Sequence, residues 1–271
     1  GQFLGSAPKA KYWLLRSENG GSEYLTEEDN WLTAAEFADS VGVDLINTSL
    51  GYKTFDNSAQ DHTYADMDGN TTRISIGADI AASRGILVVV SAGNAGNTSW
   101  KYITAPGDAD SVLTVGAVDE NGDYATFSSQ GPSSDGDVKP NISAMGQSTW
   151  HITSYGTVAY GNGTSYSAPL VCGLAACLWQ ANPEMNNMEI IEAIEKSSHQ
   201  FDNPDSLLGF GIPDFAQANF YLKGIEYSEF DKEDFIKAYR SPFTDELTIE
   251  IYTPDSQVMY VSLHDAFGDK V

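Results

Sequence analysis

The sequence predicts an α/β fold of three layers, a doubly wound parallel sheet incomplete at its N-terminal end, followed by a short all-β segment. Two observations carry this. Short apolar runs rich in Val, Ile and Leu alternate with longer segments of helical periodicity, the pattern of a parallel sheet covered on both faces. The runs at 44–49 and 86–91 both stop at small or polar residues, and the carboxyl edge of such a sheet is where loops carry ligand sites. With 271 residues, 41% of them hydrophobic, the chain can bury a substantial core.

Taken in order, a strand is expected at residues 10–15 and a helix at 27–41. Thr26 is the expected N-cap, Asp29 the acid three positions on, and Gly42 the C-terminal closure. A strand follows at 44–49, a helix at 72–83 closed by Gly85, a strand at 86–91 and a buried strand at 111–118. Trp150 and His151 fall in a further strand. Residues 161–173 read Gly-Asn-Gly-Thr-Ser-Tyr-Ser-Ala-Pro-Leu-Val-Cys-Gly and lead into a long apolar helix. Pro169 lacks an amide hydrogen, which a helix tolerates in its first turn, so the helix is expected to begin near Tyr166. Ser165 then stands at the positive end of the helix dipole. Beyond residue 222, residues 223–237 are acidic and poor in aliphatics, like a linker, and 238–271 alternate as strands do.

Ser165 is the residue with the most chemical content. A serine hydroxyl becomes a useful nucleophile when a tight turn exposes it beside backbone amides that can receive an oxyanion, and Gly161 and Gly163 supply such a turn. The structural alternative is a Gly-Ser loop that caps a core helix. Asn94 sits just after the apolar run at 86–91, where a carboxamide can donate an N–H to a tetrahedral intermediate, a contact worth about 3 kcal/mol. Its structural alternative is a turn asparagine between Gly93 and Gly96.

These segments resemble those of one family in the family's own order. Gly-Thr-Ser-Tyr-Ser-Ala-Pro at 163–169, with Gly173 four residues on, is similar to the nucleophile signature G-T-S-x-S/A-x-P of the subtilases, the subtilisin-like serine peptidases. Val-Val-Val-Ser-Ala-Gly-Asn-Ala-Gly at 88–96 resembles the A-A-G-N-x-G stretch that carries their oxyanion asparagine, and Asp-Leu-Ile-Asn-Thr-Ser-Leu-Gly at 44–51 resembles their substrate-pairing strand. Residues 102–107 stand where a loop lines the first specificity pocket. Phe127 to Pro132 resembles F-S-N-x-G-P, and 138–146 stands in place of K-P-D-I/V-x-A-P-G, with Asn141 and Met145 departing from it. Gly209 to Ala216 resembles the end of the domain. The resemblance, spanning about residues 1–220, implies a subtilisin-like peptidase domain over 1–222 and a serine endopeptidase. It implies Ser165 as nucleophile, Asn94 as oxyanion donor, and Ser49, Leu50 and Gly51 as the strand that holds a peptide substrate.

The family's Asp and His motifs, D-S/T-G and H-G-T/S, have no counterpart here. The opening Gly1 to Ala10 resembles the G-x-A-P-x-A segment that follows the family's histidine helix, so the sequence is expected to start inside the domain. A companion N-terminal fragment or upstream sequence would then carry Asp and His. Of the four histidines, His62 is expected in a solvated polar loop, His151 in a strand near the serine loop, His199 at a polar helix end and His264 in the C-terminal segment; none reads as a general base. The alternative function is a catalytically impaired module that binds peptides. An unrelated α/β esterase is disfavoured because G-x-S-x-G is absent around Ser165.

Composition narrows the partners. A formal charge of −24, from 38 acidic and 14 basic residues, argues against nucleic acid or an anionic membrane surface, and no apolar run approaches the roughly 20 residues of a membrane span. Cys172 and Cys177, five apart on one helix, would lie about 8 to 9 Å apart, beyond disulfide reach, and read as small buried residues. No cofactor is required. Structural calcium is the one metal expectation: Asp66, Asp68 and Asn70 alternate in an oxygen-rich loop, without the EF-hand spacing. Residues 238–271 resemble the first half of the β-sandwich sorting domain of proteins exported by the type IX secretion system of Bacteroidetes, with Ser241 in place of the usual asparagine; a packed edge hairpin is the structural alternative. That resemblance implies an extracellular or cell-surface protein.

Overall fold

The computed structural model describes residues 4–224 and two further strands at 235–239 and 248–252. The chain divides into two compact units, Gly1–Ile225 and Glu226–Val271. The first is built on a parallel sheet in the order β1 (Leu45–Thr48), β2 (Leu87–Ser91), β3 (Leu113–Val118), β4 (Ile142–Met145). Its helices are α1 (Thr26–Ser40), α2 (Arg73–Ser83), α3 (Thr164–Ala181), α4 (Asn187–Lys196) and α5 (Phe215–Leu222), and an antiparallel hairpin, β5 (Thr149–Ile152) with β6 (Val158–Gly161), lies between β4 and α3. In the second unit β7 (Phe235–Tyr239) pairs antiparallel with β8 (Thr248–Tyr252); β7 begins inside the stretch expected to be a linker.

Strand β2 explains the layering. Every one of its residues is buried, and successive side chains of a strand point to opposite faces. Val88 and Val90 join a core with Trp31 and Ala35 of α1 and Ile74 and Ala78 of α2. Leu87 and Val89 join a second core with Ala168, Val171 and Ala175 of α3 and Ile190 and Ile194 of α4. A strand buried on both faces reads as an unbroken apolar run, and the expected doubly wound α/β architecture is what forms. Asn187 ties the layers together from inside: its buried amide donates to the carbonyls of Ala82, 2.8 Å, and Ile86, 3.0 Å.

Several local expectations are corrected. Residues 10–15 form no strand; Tyr12, Trp13, Leu14 and Leu15 are exposed. Strand propensity is realised only against a neighbouring strand, and none of the described strands pairs with this segment. Thr26 lies inside α1 and does not cap it, since Leu25 precedes the helix without a side-chain cap. The buried Glu27 reaches back instead, accepting from the amides of Asn19, 2.8 Å, and Tyr24, 3.4 Å. Gly42 and Gly85 close their helices at φ of 71° and 93°, as expected of left-handed terminators. Cys172 is half-buried but Cys177 is exposed, so only the first fits the reading of a small core residue.

A buried polar network lies under β3 and β4. The Lys139 ammonium, almost wholly enclosed, donates to the Ala109 carbonyl, 2.5 Å, and to Asn141 Oδ1, 3.3 Å. Asn141 Oδ1 also accepts from the Thr114 amide, 2.8 Å, and its Nδ2 donates to Glu195, 2.7 Å. Burial pushes the Lys139 amine below its ordinary range, opposed by the charge of Asp108 and other carboxylates. Asp108 is fully buried and accepts from Ser75 Oγ, 2.7 Å, and the Gly69 amide, 2.9 Å. Burial pushes its carboxyl above the ordinary value of 3.8, and the hydrogen bonds and Lys139 offset only part of that.

A group whose pKa is raised on folding stabilises the fold fully below the unfolded value and loses that contribution as pH rises through the folded one. The stability of the unsubstituted protein relative to Asp108→Asn should therefore be greatest below the ordinary carboxyl value of 3.8 and decline as pH rises above it, by up to about 1.4 kcal/mol per pH unit. Urea unfolding of both proteins across this range checks it; a difference independent of pH contradicts the assignment.

Candidate active site

The carboxyl ends of β1 and β2 and the amino end of α3 converge. Ser49 follows β1, Asn94 lies three residues past β2, and Ser165 is the second residue of α3. Helix α3 starts at Thr164 and not near Tyr166, which places Pro169 inside the helix. A proline there leaves the carbonyl four residues earlier without its helical donor, and that carbonyl belongs to Ser165. Ser49 Oγ fills the vacancy by donating to the Ser165 carbonyl, 3.2 Å, while Ser165 Oγ donates to the Ser49 carbonyl, 3.3 Å. The reciprocal pair fixes Ser165 against segment 49–51. Its hydroxyl is half-buried, not interred.

Asn94 is held by the residue before the serine. Its Oδ1 accepts from both the Thr164 amide, 2.9 Å, and Thr164 Oγ1, 3.1 Å, and Thr164 Oγ1 in turn accepts from the Gly93 amide, 3.2 Å. Two donors on one oxygen settle which end of the carboxamide is which: the carbonyl end is consumed, and the N–H end is left on an exposed residue. The loop is glycine-dependent at Gly93, whose φ is 105° and whose added Cβ would stand 2.8 Å from Ser129 Oγ and 2.9 Å from Thr104 Oγ1. Thr104 also closes on Gly51, where a Cβ would meet its Oγ1 at 2.2 Å. Tyr52 and Ala105 exchange backbone hydrogen bonds of 2.8 and 3.2 Å, so segment 49–52 is anchored along segment 104–105. The buried Tyr52 hydroxyl donates to Glu18, and burial with that bond pushes its phenol far up, keeping it protonated.

The structure thus brings together Ser165, Asn94 and the Ser49, Leu50, Gly51 segment. It places the other candidates elsewhere. His151 lies against Tyr166, with ring centres 4.8 Å apart and planes tilted by 35°, and has no hydrogen bond to Ser165. His62, expected to be solvated, is mostly enclosed: its Nε2 lies 2.6 Å from the fully buried Glu28, and its ring meets Phe55 edge-on at 5.2 Å. A histidine in a polar stretch becomes interior when a buried carboxylate needs a partner. His199 accepts from the Ile212 amide, 2.9 Å, and His264 lies outside the described residues. Asp66 accepts from the Thr63 amide and hydroxyl, and Asp68 from the Asn70 amide and Thr71 hydroxyl. These oxygens are engaged within their own turns, a poor fit to a calcium cage. Among the described residues carboxylates converge at Glu18, Glu23 and Glu27 and at Asp110, Asp135 and Asp137 instead.

Thr164 and Tyr166 carry no role in the sequence reading, and Thr104 figured there only within the pocket-lining loop at 102–107. Thr164 was visible as the middle of Gly-Thr-Ser, but its hold on Asn94 spans 70 positions.

Ser165, at the turn into α3, thus faces segment 49–51 and lies beside the loop that orients the Asn94 carboxamide, at the carboxyl edge of a parallel sheet. Residues 1–211 match the Subtilase family, and the chain belongs to that family. It is similar to subtilisin E of Bacillus subtilis (strain 168), 31% identical over 204 residues that cover 74% of this chain and 47% of the relative. It is also similar to the serine protease AprX of the same strain, 29% identical over 234 residues, 76% of this chain and 50% of the relative. The chain therefore spans about half the length of these relatives. Among solved structures, the self-cleaved protease domain of PatA shares the fold with a TM-score of 0.60 at 23% identity, over 73% of this chain and 69% of that one. MycP1 from Mycobacterium smegmatis does so with a TM-score of 0.56 at 24% identity, over 72% and 55%.

Gly161 makes the corner testable without activity. A Cβ there would lie 2.4 to 2.6 Å from the Tyr166 ring, so Gly161→Ala should destabilise the protein by about 1–3 kcal/mol through overpacking. Tyr166→Ala should relieve most of that loss, giving strong coupling in a double-mutant cycle of thermal or urea unfolding. Additive effects would contradict the packing described.

Proposed function

We propose that the chain supplies the nucleophile, the oxyanion donor and the substrate strand of a subtilisin-like serine endopeptidase. Ser165 Oγ attacks the scissile carbonyl. The Asn94 N–H and the Ser165 backbone amide, free at the start of α3, receive the developing negative charge. Segment 49–51 pairs with the extended peptide, whose main chain contributes affinity while alternate side chains select sequence. The observation that carries this reading is the pair of hydrogen bonds that Thr164 donates to Asn94 Oδ1, which leaves the donor end of the carboxamide for a ligand.

Ser165 also needs a base. Its hydroxyl donates to the Ser49 carbonyl, which cannot take a proton, so the reading includes an Asp and a His from other sequence of the same polypeptide or from a companion fragment. Losing a triad member leaves only the residual help of oxyanion hole and binding. The same observation favours a second reading, a peptide-binding module that keeps the cleft without the chemistry. No step uses a cation or cofactor. The sequence of residues 238–271 resembles the start of a type IX sorting module, as in Bacteroidetes, and this supports an extracellular or cell-surface site of action. Among the described residues no helix is long and apolar enough to cross a membrane.

Two measurements on the complete polypeptide test the proposal. A fluorophosphonate probe should label it at Ser165, and Ser165→Ala should abolish labelling; persistent labelling removes Ser165 as nucleophile, and absence of labelling before substitution favours the binding module. Asn94→Ala should lower kcat by about 10²–10³-fold with little change in KM, the pattern of an interaction made in the transition state.

A further inference from the structure

Glu28 and His62 form a buried pair that the proposed chemistry does not use. Glu28, in the first turn of α1, is fully buried. Its Oε1 lies 2.6 Å from His62 Nε2, and its Oε2 accepts from the Ile74 amide in the first turn of α2, 3.4 Å. With both carboxylate oxygens accepting, Nε2 is the donor. Taking such a pair out of water rarely gains stability over apolar residues of the same volume. What the pair supplies is direction, because each buried partner must face the other.

His62 closes a loop that begins where the substrate segment ends. Its amide donates to the Lys53 carbonyl, 2.8 Å, and Asp61 Oδ1 accepts from the Phe55 amide, 2.7 Å. Between residues 53 and 62 only Phe55 is buried. Its ring lies parallel to that of Tyr52, 6.2 Å between centres, and meets the His62 ring edge-on at 5.2 Å. A chain of ring contacts, Tyr52 to Phe55 to His62, therefore leads from the end of segment 49–51 to Glu28. The same loop reaches the facing segment: Lys53 Nζ lies over the Trp100 ring at 5.6 Å, and Tyr64 stacks on Tyr102 at 3.9 Å. Backbone bonds to Ala105 hold Tyr52, and the Glu28–His62 pair holds the residues that follow it.

We infer that Glu28 and His62 are positioning residues for the substrate. The pair keeps the outer end of segment 49–51 in the register at which its main chain meets an extended peptide. Among the described residues neither has a hydrogen bond to Ser165, Asn94 or segment 49–51, so the pair acts through Lys53 and Tyr52. The inference rests on the endopeptidase reading and deepens it. Segment 49–51 would contact the peptide before and during the reaction, so a loss of register weakens substrate and transition state alike and is read in KM, not in kcat.

The test uses the complete polypeptide, a peptide extended on the side before its scissile bond, and a short ester without a peptide main chain. Glu28→Met with His62→Leu removes the pair and keeps the core filled. This double variant should raise KM for the peptide at least about tenfold, the scale of one or two lost main-chain hydrogen bonds, and keep its kcat, its ester rate and its fluorophosphonate labelling. His62→Gln, which carries an N–H donor at similar reach, should keep the peptide KM of the unsubstituted protein. An unchanged KM in the double variant, an equal loss on peptide and ester, or a Gln variant no better than the double one overturns the inference. If the double variant does not fold, His62→Asn, whose shorter side chain holds its donor back from Glu28, takes its place with the same outcomes. If the unsubstituted protein neither labels nor cleaves, the endopeptidase reading fails by itself. Binding of the fluorescent peptide to Ser165→Ala protein, with and without the double substitution, then decides: about tenfold weaker binding supports the positioning role, and unchanged binding overturns it.

Discussion

The two-sided burial of β2 is the constraint on which the first unit depends. Because Val88 and Val90 are locked under α1 and α2 while Leu87 and Val89 are locked under α3 and α4, the strand can neither slide nor turn over without exposing one set. A one-residue slip would exchange the two faces. The chain leaving β2 at Ser91 therefore emerges at one fixed place between the layers, and Asn94 with it. Helix α3 is packed against the same strand from below, so the amino end of α3 and the end of β2 share a common reference. Core packing thus sets where both elements end.

Polar contacts then set direction within that frame. Thr164 converts proximity into orientation by occupying the carbonyl end of Asn94, and Ser49 does the same for Ser165 by taking the carbonyl that Pro169 leaves open. A proline inside a helix normally costs about 3 kcal/mol or more. Here its helical penalty is partly offset by a hydrogen bond from Ser49, just past β1, and the freed carbonyl links segment 49–51 to the serine loop. The proline read as a marker of the helix start is a device for joining two elements 116 residues apart.

Much of this fold was legible because its signals are local. The unbroken apolar run of β2, the glycine closures at Gly42 and Gly85, and the small-residue break before Asn94 each report a physical requirement of a few adjacent residues. Ser165, Asn94 and segment 49–51 were legible for the same reason, since each lies at the end of a readable element. What failed was pairwise. The strand expected at 10–15 required a neighbour that its own residues do not announce. His62 looked solvated because its partner, Glu28, lies 34 positions away.

Asn141, a departure from the family pattern, and Gly161 follow the same rule, each explained by a neighbour in space. Asn141 stands where an aspartate was expected, and an aspartate could not serve its present contacts. The side chain accepts from Thr114 and Lys139 through one atom and donates to Glu195 through the other. Two carboxylates at 141 and 195 would repel across that 2.7 Å gap, with burial already pushing Glu195 upward. Gly161 is glycine because the Tyr166 ring occupies the space a Cβ would need, and Tyr166 can lie there because β6 ends in a residue without a side chain. Each unusual residue is thus intelligible only with its neighbour. The second pair sits between the serine loop and the β5–β6 hairpin, so the packing that shapes the serine corner also fixes the hairpin beside it.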